Sequence, residues 1–304
     1  MNIGSACYLK HVLKGFIFSL LIMISMPGCF FMHKKLLIED LSMSFEKNAI
    51  ISSKTGQLVI FEDLVADISG AKVIYVGENH TDPEHHRIQL EIIKALFKQN
   101  PDLVVGIEMV DHSYQNVLDQ WTEGNLDKQT FLQKIHWYAN WRFDFGLYEK
   151  IFEFIKENNI RLTGLNIPFH IPSKIAIGGI DNLRMEERQH LPKIIDTSNA
   201  EHRQYVENIY KHHAMKGRKN FENFYLAQCV WEDAMAEAVA ANLHDNTMVV
   251  LSGNGHIIDR FGIPERAFKL SGEVSYKTIL LAPVGTSVKL SNADFIWSTS
   301  NKKN

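Results

Sequence analysis

Residues 72–96 read KVIYVGENHTDPEHHRIQLEIIKAL. Val73-Ile74-Tyr75-Val76 is a short apolar run of β-branched and aromatic residues, the composition of a strand buried on both faces. Gly77 closes the run and permits a tight turn. Glu78, Asn79 and His80 follow at once. Asp82-Pro83-Glu84 marks a helix start, with an N-cap carboxylate, proline at the first helical position and an acid in the first turn. Ile88, Ile92, Ile93 and Leu96 recur at helical spacing, so the helix has one apolar face. A carboxylate and an imidazole therefore stand at the carboxyl end of a buried strand, where α/β sheets bind ligands. Capping of the helix is the competing account of Glu78 and His80. The return of the pattern later in the chain favours a site.

That return is Thr247–Ser252, TMVVLS, which runs into Gly253-Asn254-Gly255-His256. Between the two copies lies Leu103–Met109, LVVGIEM, a buried strand with Glu108 near its end. A charge late in an apolar run is costly unless it is partnered. Ile160–Ile167, stopped by Pro168, and Tyr276–Leu281 read as further strands. Helical patterns at 111–123, 127–134 and 148–158 alternate with them. This alternation predicts an α/β fold, a mainly parallel sheet flanked by helices. A hairpin over Ala49–Ile60 and a short helix over Phe61–Ile68 lead in. The aromatic segment His136–Phe145, HWYANWRFDF, suits core or subunit contact. An Ala-rich helix spans Leu226–Leu243, and a short one begins near Gly262-Ile263-Pro264. Ser298–Asn304 is polar and expected to fray.

Residues 169–225 break the rhythm. They hold His170, His190, His202, His212 and His213, with Tyr205, Tyr210 and Tyr225. A helical insertion is expected here, a lid over the sheet edge.

The N-terminus reads as an export leader. Residues 1–28 carry Lys10 and Lys14 ahead of the apolar core Phe16–Met26, the layout of a signal peptide and too short for a comfortable membrane span. Met26-Pro27-Gly28-Cys29 resembles a lipobox, which would make Cys29 the acylated first residue; a plain secretory signal or an uncleaved anchor would also place the domain outside the cytoplasm. Residues 29–45 are then a lipid-anchored tether and 46–297 a single domain, extracytoplasmic and membrane-anchored. The formal net charge is −3, and −5 once the leader's two lysines are gone. Neither value suits a nucleic-acid partner. Three cysteines, two of them in or at the end of the leader, do not make a disulfide framework, and the absence of C-x-x-C-H excludes covalent c-type haem attachment.

In a parallel sheet the carboxyl ends of neighbouring strands share one rim. Glu78, His80, Glu108 and His256 are thereby expected to converge. Two imidazoles and two carboxylates suit a divalent zinc, manganese or iron ion, and a carboxylate beside a bound water suits a general base.

VGENHTDPEHHRIQLEII, VVGIEM, Trp141, the LNIP stretch around Asn166, AQCVWEDAMAEA and LSGNGHIIDRFGIPER together resemble the ChaN-like haem-binding lipoproteins of the wider Tiki, TraB and erythromycin-esterase superfamily. The resemblance runs from about Ser52 to Leu270. In AQCVWEDAMAEA this chain has Glu232 and then Asp233, where relatives carry an Asp after the aromatic position. The resemblance implies an α/β fold with paired G-x-x-H motifs, here Gly77–His80 and Gly253–His256, and the acid Glu108. It also implies haem binding for iron uptake by homodimers that sandwich haem, or, from other branches, a metal-dependent peptidase or esterase using Glu78, His80, Glu108 and His256. Haem ligands are assigned by chemistry alone: Tyr205 and Tyr210 as phenolates for ferric iron, His212 and His213 as imidazoles.

Overall fold

The computed structural model describes residues 34–212, 220–243 and 246–301, without the side chain of His212. Four three-residue strands come first: β1 (Leu36–Ile38), β2 (Met43–Phe45), β3 (Ile50–Ser52) and β4 (Gln57–Val59). Then come α1 (Phe61–Ile68), β5 (Val73–Glu78), α2 (Pro83–Gln99) and β6 (Val104–Asp111). Helices α3 (Gln115–Thr122), α4 (Lys128–Lys134), α5 (Trp137–Asn140) and α6 (Glu149–Glu157) lead to β7 (Arg161–Asn166). The insertion supplies α7 (His170–Gly178), α8 (Met185–Arg188) and α9 (Ala200–His212). The rest is α10 (Phe221–Asn242), β8 (Met248–Gly253), α11 (Ile263–Leu270), β9 (Tyr276–Pro283), β10 (Ser287–Val288) and β11 (Phe295–Thr299).

The main sheet has eight strands in the order β4-β3-β11-β9-β5-β8-β6-β7. The run from β11 to β7 is parallel throughout; β3 and β4 join antiparallel at one edge. The α/β fold expected from alternation is thus the fold observed. β5 and β8 are adjacent, with Gly77 opposite Ser252 and Glu78 opposite Gly253. The two G-x-x-H turns therefore leave the sheet side by side.

Helix α2 starts where the sequence says it should. The Asp82 side chain accepts the Glu84 N–H, and Pro83 opens the helix. Its Ile88, Ile92, Ile93 and Leu96 are buried on one face of the sheet, among α3, α4 and α6. Burial of each such side chain is worth about 1.5–3 kcal/mol. On the opposite face Met235, Ala236 and Val239 of α10 and Ile263 and Ala267 of α11 pack on β5 and β8.

The structure differs from the sequence reading in three places. Residues 36–45, expected in the tether, form β1 and β2 of a small second sheet with β10, and Leu36 and Ile38 are fully buried there. Ser298 and Thr299, expected to fray, are fully buried in β11. Their hydroxyls explain it: Ser298 Oγ accepts the Ala49 N–H at 2.8 Å, and Thr299 Oγ1 meets His85 Nε2 at 2.9 Å. Helix α10 begins five residues before Leu226, at Phe221, because Asn220 caps it by accepting the N–H groups of Glu222 and Asn223. Within 169–225 the described residues form the expected helices, α7, α8, α9 and the start of α10. They form their own apolar cluster, in which Ile171, Ile175 and Val206 pack against Tyr225 and Val230 of α10.

Candidate functional site: a carboxylate–imidazole network on the sheet rim

Glu78 ends β5 and is 1% exposed. His80 Nδ1 lies 2.7 Å from its Oε1, and the Tyr148 hydroxyl donates to the same oxygen at 2.7 Å. His86 Nε2 stands 3.2 Å from Oε2, close enough for charge pairing though out of hydrogen-bond alignment. Burial alone would raise the Glu78 pKa; the hydrogen bond from His80 and the nearby His86 imidazole outweigh it and hold the carboxyl well below its ordinary range. Burial also opposes the His80 proton, and Glu78 and Glu108 reverse that, raising the imidazole above its usual value. Trp141 and Phe143 enclose the His80 ring, with centroids 4.7 and 5.0 Å away.

Glu108, near the end of β6, accepts the Gly253 N–H at 2.7 Å and faces His256 Nε2 at 3.4 Å. The other nitrogen of His256 lies 3.2 Å from Glu232 Oε1 on α10. Burial disfavours the His256 proton, but the two carboxylates prevail and push its pKa up to about 10. Glu232 has no exposed surface. It is also held by Gln228 at 2.7 Å, by His202 of α9 at 3.1 Å and by Arg266 of α11 at 3.6 Å. Arg266 pairs in turn with Asp233 at 2.5 Å. Both acids of the Glu232-Asp233 step are thus used.

Two glycines make the arrangement fit. A Cβ on Gly77 would stand 2.1 Å from Asn254 Oδ1, and one on Gly253 would stand 3.0 Å from His80 Cε1. Each G-x-x-H turn therefore leaves room for the other. Outside it, a cavity of about 360 Å³ is lined by Glu78, His80, Phe143 and Gly253–Gly255.

Glu78, His80, Glu108 and His256 come together as expected, but as charge-paired couples. Among the described residues no group of three or more His, Cys, Asp or Glu is placed to hold a metal ion. His80 pairs with Glu78, and His256 stands between Glu108 and Glu232, while Glu78 Oε2 and Glu232 Oε2 have no hydrogen-bond partner among the described residues. Of the two couples, Glu78–His80 reaches solvent through its imidazole: the His80 side chain is 29% exposed and that of Glu78 is 0%.

The expected haem ligands are dispersed. Tyr205 is half-buried on α9 with its hydroxyl 3.7 Å from where a Cβ of Gly255 would stand. Burial first, then Glu232 and Asp259, push its phenol up to about 12. Tyr210 packs its ring on Phe221 and Phe224. His212 contributes backbone to α9, and His213 and Cys29 lie outside the described residues. Sequence reasoning missed His86, Tyr148, His202, Gln228 and Arg266 as members of the network. His86 and Arg266 fall within the stretches quoted above. So does Gln228, in AQCVWEDAMAEA, whereas Tyr148 and His202 arrive by tertiary packing.

A second cavity, of about 600 Å³, opens between the 139–142 loop and α7, α9 and α10. Phe169, Ile209, Phe224 and Trp231 supply its apolar wall, Arg142 a cation and His170 an imidazole. Trp231 also packs edge-on against His256, with centroids 5.2 Å apart.

A parallel α/β sheet whose two G-x-x-H turns feed one carboxylate–imidazole rim, roofed by a helical insertion, defines a Tiki-type protein. The chain belongs within that class to the haem-binding uptake family, ChaN, whose sequence profile matches residues 64–267. Among solved structures it is similar to ChaN of Campylobacter jejuni, described with cofacial haem binding, at 20% identity, over 82% of this chain and 95% of that one, with a TM-score of 0.67. That likeness shows the shared fold. Weaker likenesses are to the type III effector HopBA1 (15% identity, 79% and 92% of the two chains, TM-score 0.45) and to an erythromycin esterase, EreC, in its open conformation (12%, 77% and 77%, 0.46). No curated protein matches the sequence.

Proposed function

We propose that this chain binds haem in the 600 Å³ cavity and serves haem or iron uptake from an extracytoplasmic, lipid-anchored position. The cavity is the observation that carries the reading. It has the size of a small-molecule site, an aromatic wall for a flat apolar ring system, and the Arg142 guanidinium on its lining for a propionate. His170, whose side chain is 55% exposed and whose Nε2 is 3.1 Å from Glu187, is an imidazole on that wall able to offer iron a ligand. Tyr210, one of the two expected phenols, packs on Phe224 of the cavity wall, ring centroids 5.3 Å apart. Bound haem would supply the iron cargo; the chain's own part is to cover the ring and neutralise its carboxylates. Cys29 behind an apolar leader supports the anchor, and exposed Ile177 and Met185, on α7 and α8, support a second copy meeting this side of the molecule.

Titration of the purified domain with hemin tests the reading. A Soret shift saturating at a fixed ratio is expected, and no shift at micromolar protein would sink it. Arg142→Ala should weaken binding about ten-fold, the loss of one charge-assisted contact. His170→Ala and Tyr210→Phe distinguish the ligands by their change in the Soret and visible bands. Mass spectrometry of the mature N-terminus tests acylation at Cys29.

A second reading rests on His80 and Glu78. Their 2.7 Å contact, opening onto the smaller cavity, is within reach for acid–base catalysis of ester or peptide hydrolysis. Turnover of such a substrate that disappears in His80→Gln would support it; equal turnover in that variant would end it.

A further inference from the structure

A third cavity, of about 440 Å³, lies alongside the edge strand β7, between Gln115 of α3 and Ala234–Asn242 of α10. His112, in the turn after β6, and His190, after α8, stand on its wall. His112 Nε2 and His190 Nδ1 face each other at 3.1 Å. His112 Nδ1 bonds the Asn166 carbonyl oxygen at 3.1 Å, which fixes the proton on that nitrogen and leaves Nε2 with a lone pair. Metal-binding histidines are oriented in this way, by a carbonyl that takes the other N–H. On the cavity floor, Thr163 is 2% exposed and its hydroxyl has no hydrogen-bond partner among the described residues.

From this geometry we propose a zinc site in which His112 Nε2 and His190 Nδ1 chelate one ion, its remaining positions open to water or a small oxygen ligand in the cavity. With zinc–nitrogen bonds of about 2.05 Å, nitrogens 3.1 Å apart subtend an angle of about 100° at the metal, between the octahedral and tetrahedral values. The ion takes the place of the proton the two rings now share, which asks only that the half-exposed His190 ring turn on its Cβ. Glu78, His80, Glu108 and His256 take no part. Open positions beside an unsatisfied buried hydroxyl suit a zinc that binds an exchangeable ligand.

Calorimetric titration of the haem-free chain with zinc chloride tests the site, with wild type compared to His112→Gln and His190→Gln. Both side chains are on the surface and glutamine retains a hydrogen-bonding head, so both variants fold; a thermal melt checks this. The wild type should show one zinc equivalent that each variant loses or binds at least ten-fold more weakly, as a chelate losing one arm does. An unchanged isotherm in either variant overturns the proposal. Displacement of that zinc by one equivalent of hemin also overturns it, since the pair would then belong to the haem cavity.

Discussion

His256 sits 8% exposed between two carboxylates, and its proton is part of the fold. In an unfolded chain an imidazole titrates near 6.5. Here the carboxylates of Glu108 and Glu232 overcome the effect of burial and push it to about 10. Folding therefore takes up a proton between those values. The stabilisation is complete below about pH 6.5 and is lost as pH rises towards 10. Glu108 and Glu232 work in the other direction. Their folded pKa values are depressed, so their contribution is present above about pH 4.3 and is lost as pH falls. Urea unfolding across pH 6.5–10 should show wild-type stability declining, and His256→Gln should flatten that slope. Equal slopes for the two proteins would mean that the imidazole is neutral in the native state. Little of this pairing can be read from residue types. Glu108 is conspicuous because it interrupts an apolar strand, whereas His202 resembles every other polar residue of its helix until α9 is docked.

Elements β5 and β8 were legible because each is a continuous apolar run closed by glycine, and α2 because proline and an N-cap mark its start. What glycine does at these strand ends emerges only when the strands are neighbours. Gly77→Ala would drive a methyl to 2.1 Å from Asn254 Oδ1 and 2.8 Å from Ile257 Cδ1, parting the two turns. Thermal or urea unfolding should register a loss of about 1–3 kcal/mol, the range for overpacking a close-fitted site. Gly70→Ala, where nothing lies within 4 Å, is the control and should leave stability within about 0.5 kcal/mol. If the two variants unfold alike, the turns yield more readily than their packing implies. Strands β1, β2 and β10 were illegible for a plain reason: two or three residues show no period.

Over the whole molecule, the end of the described chain is a structural part. β11 lies inside the sheet, between β3 and β9, and Ser298 and Thr299 pair with Ala282 and Pro283. Composition hid this, because two hydroxyl residues next to a polar terminus read as fraying, and only their long-range bonds reveal the strand. A chain ending at Trp297 would take the Ser298 acceptor from the part-buried Ala49 N–H and the Thr299 hydroxyl from His85 Nε2, which keeps Asp82 at 3.5 Å. Two lost hydrogen bonds cost about 1–3 kcal/mol. The urea midpoint should fall accordingly, while a chain ending at Asn301 should match full length. A midpoint unmoved by the longer deletion would show that the terminal strand is dispensable.

Glu232 is gripped from two directions at once, by His256 on the sheet rim and by His202 on α9. The insertion is therefore riveted rather than hinged. Swinging α9 outward would part the buried His202–Glu232 pair and leave the carboxylate to His256, Gln228 and Arg266 alone.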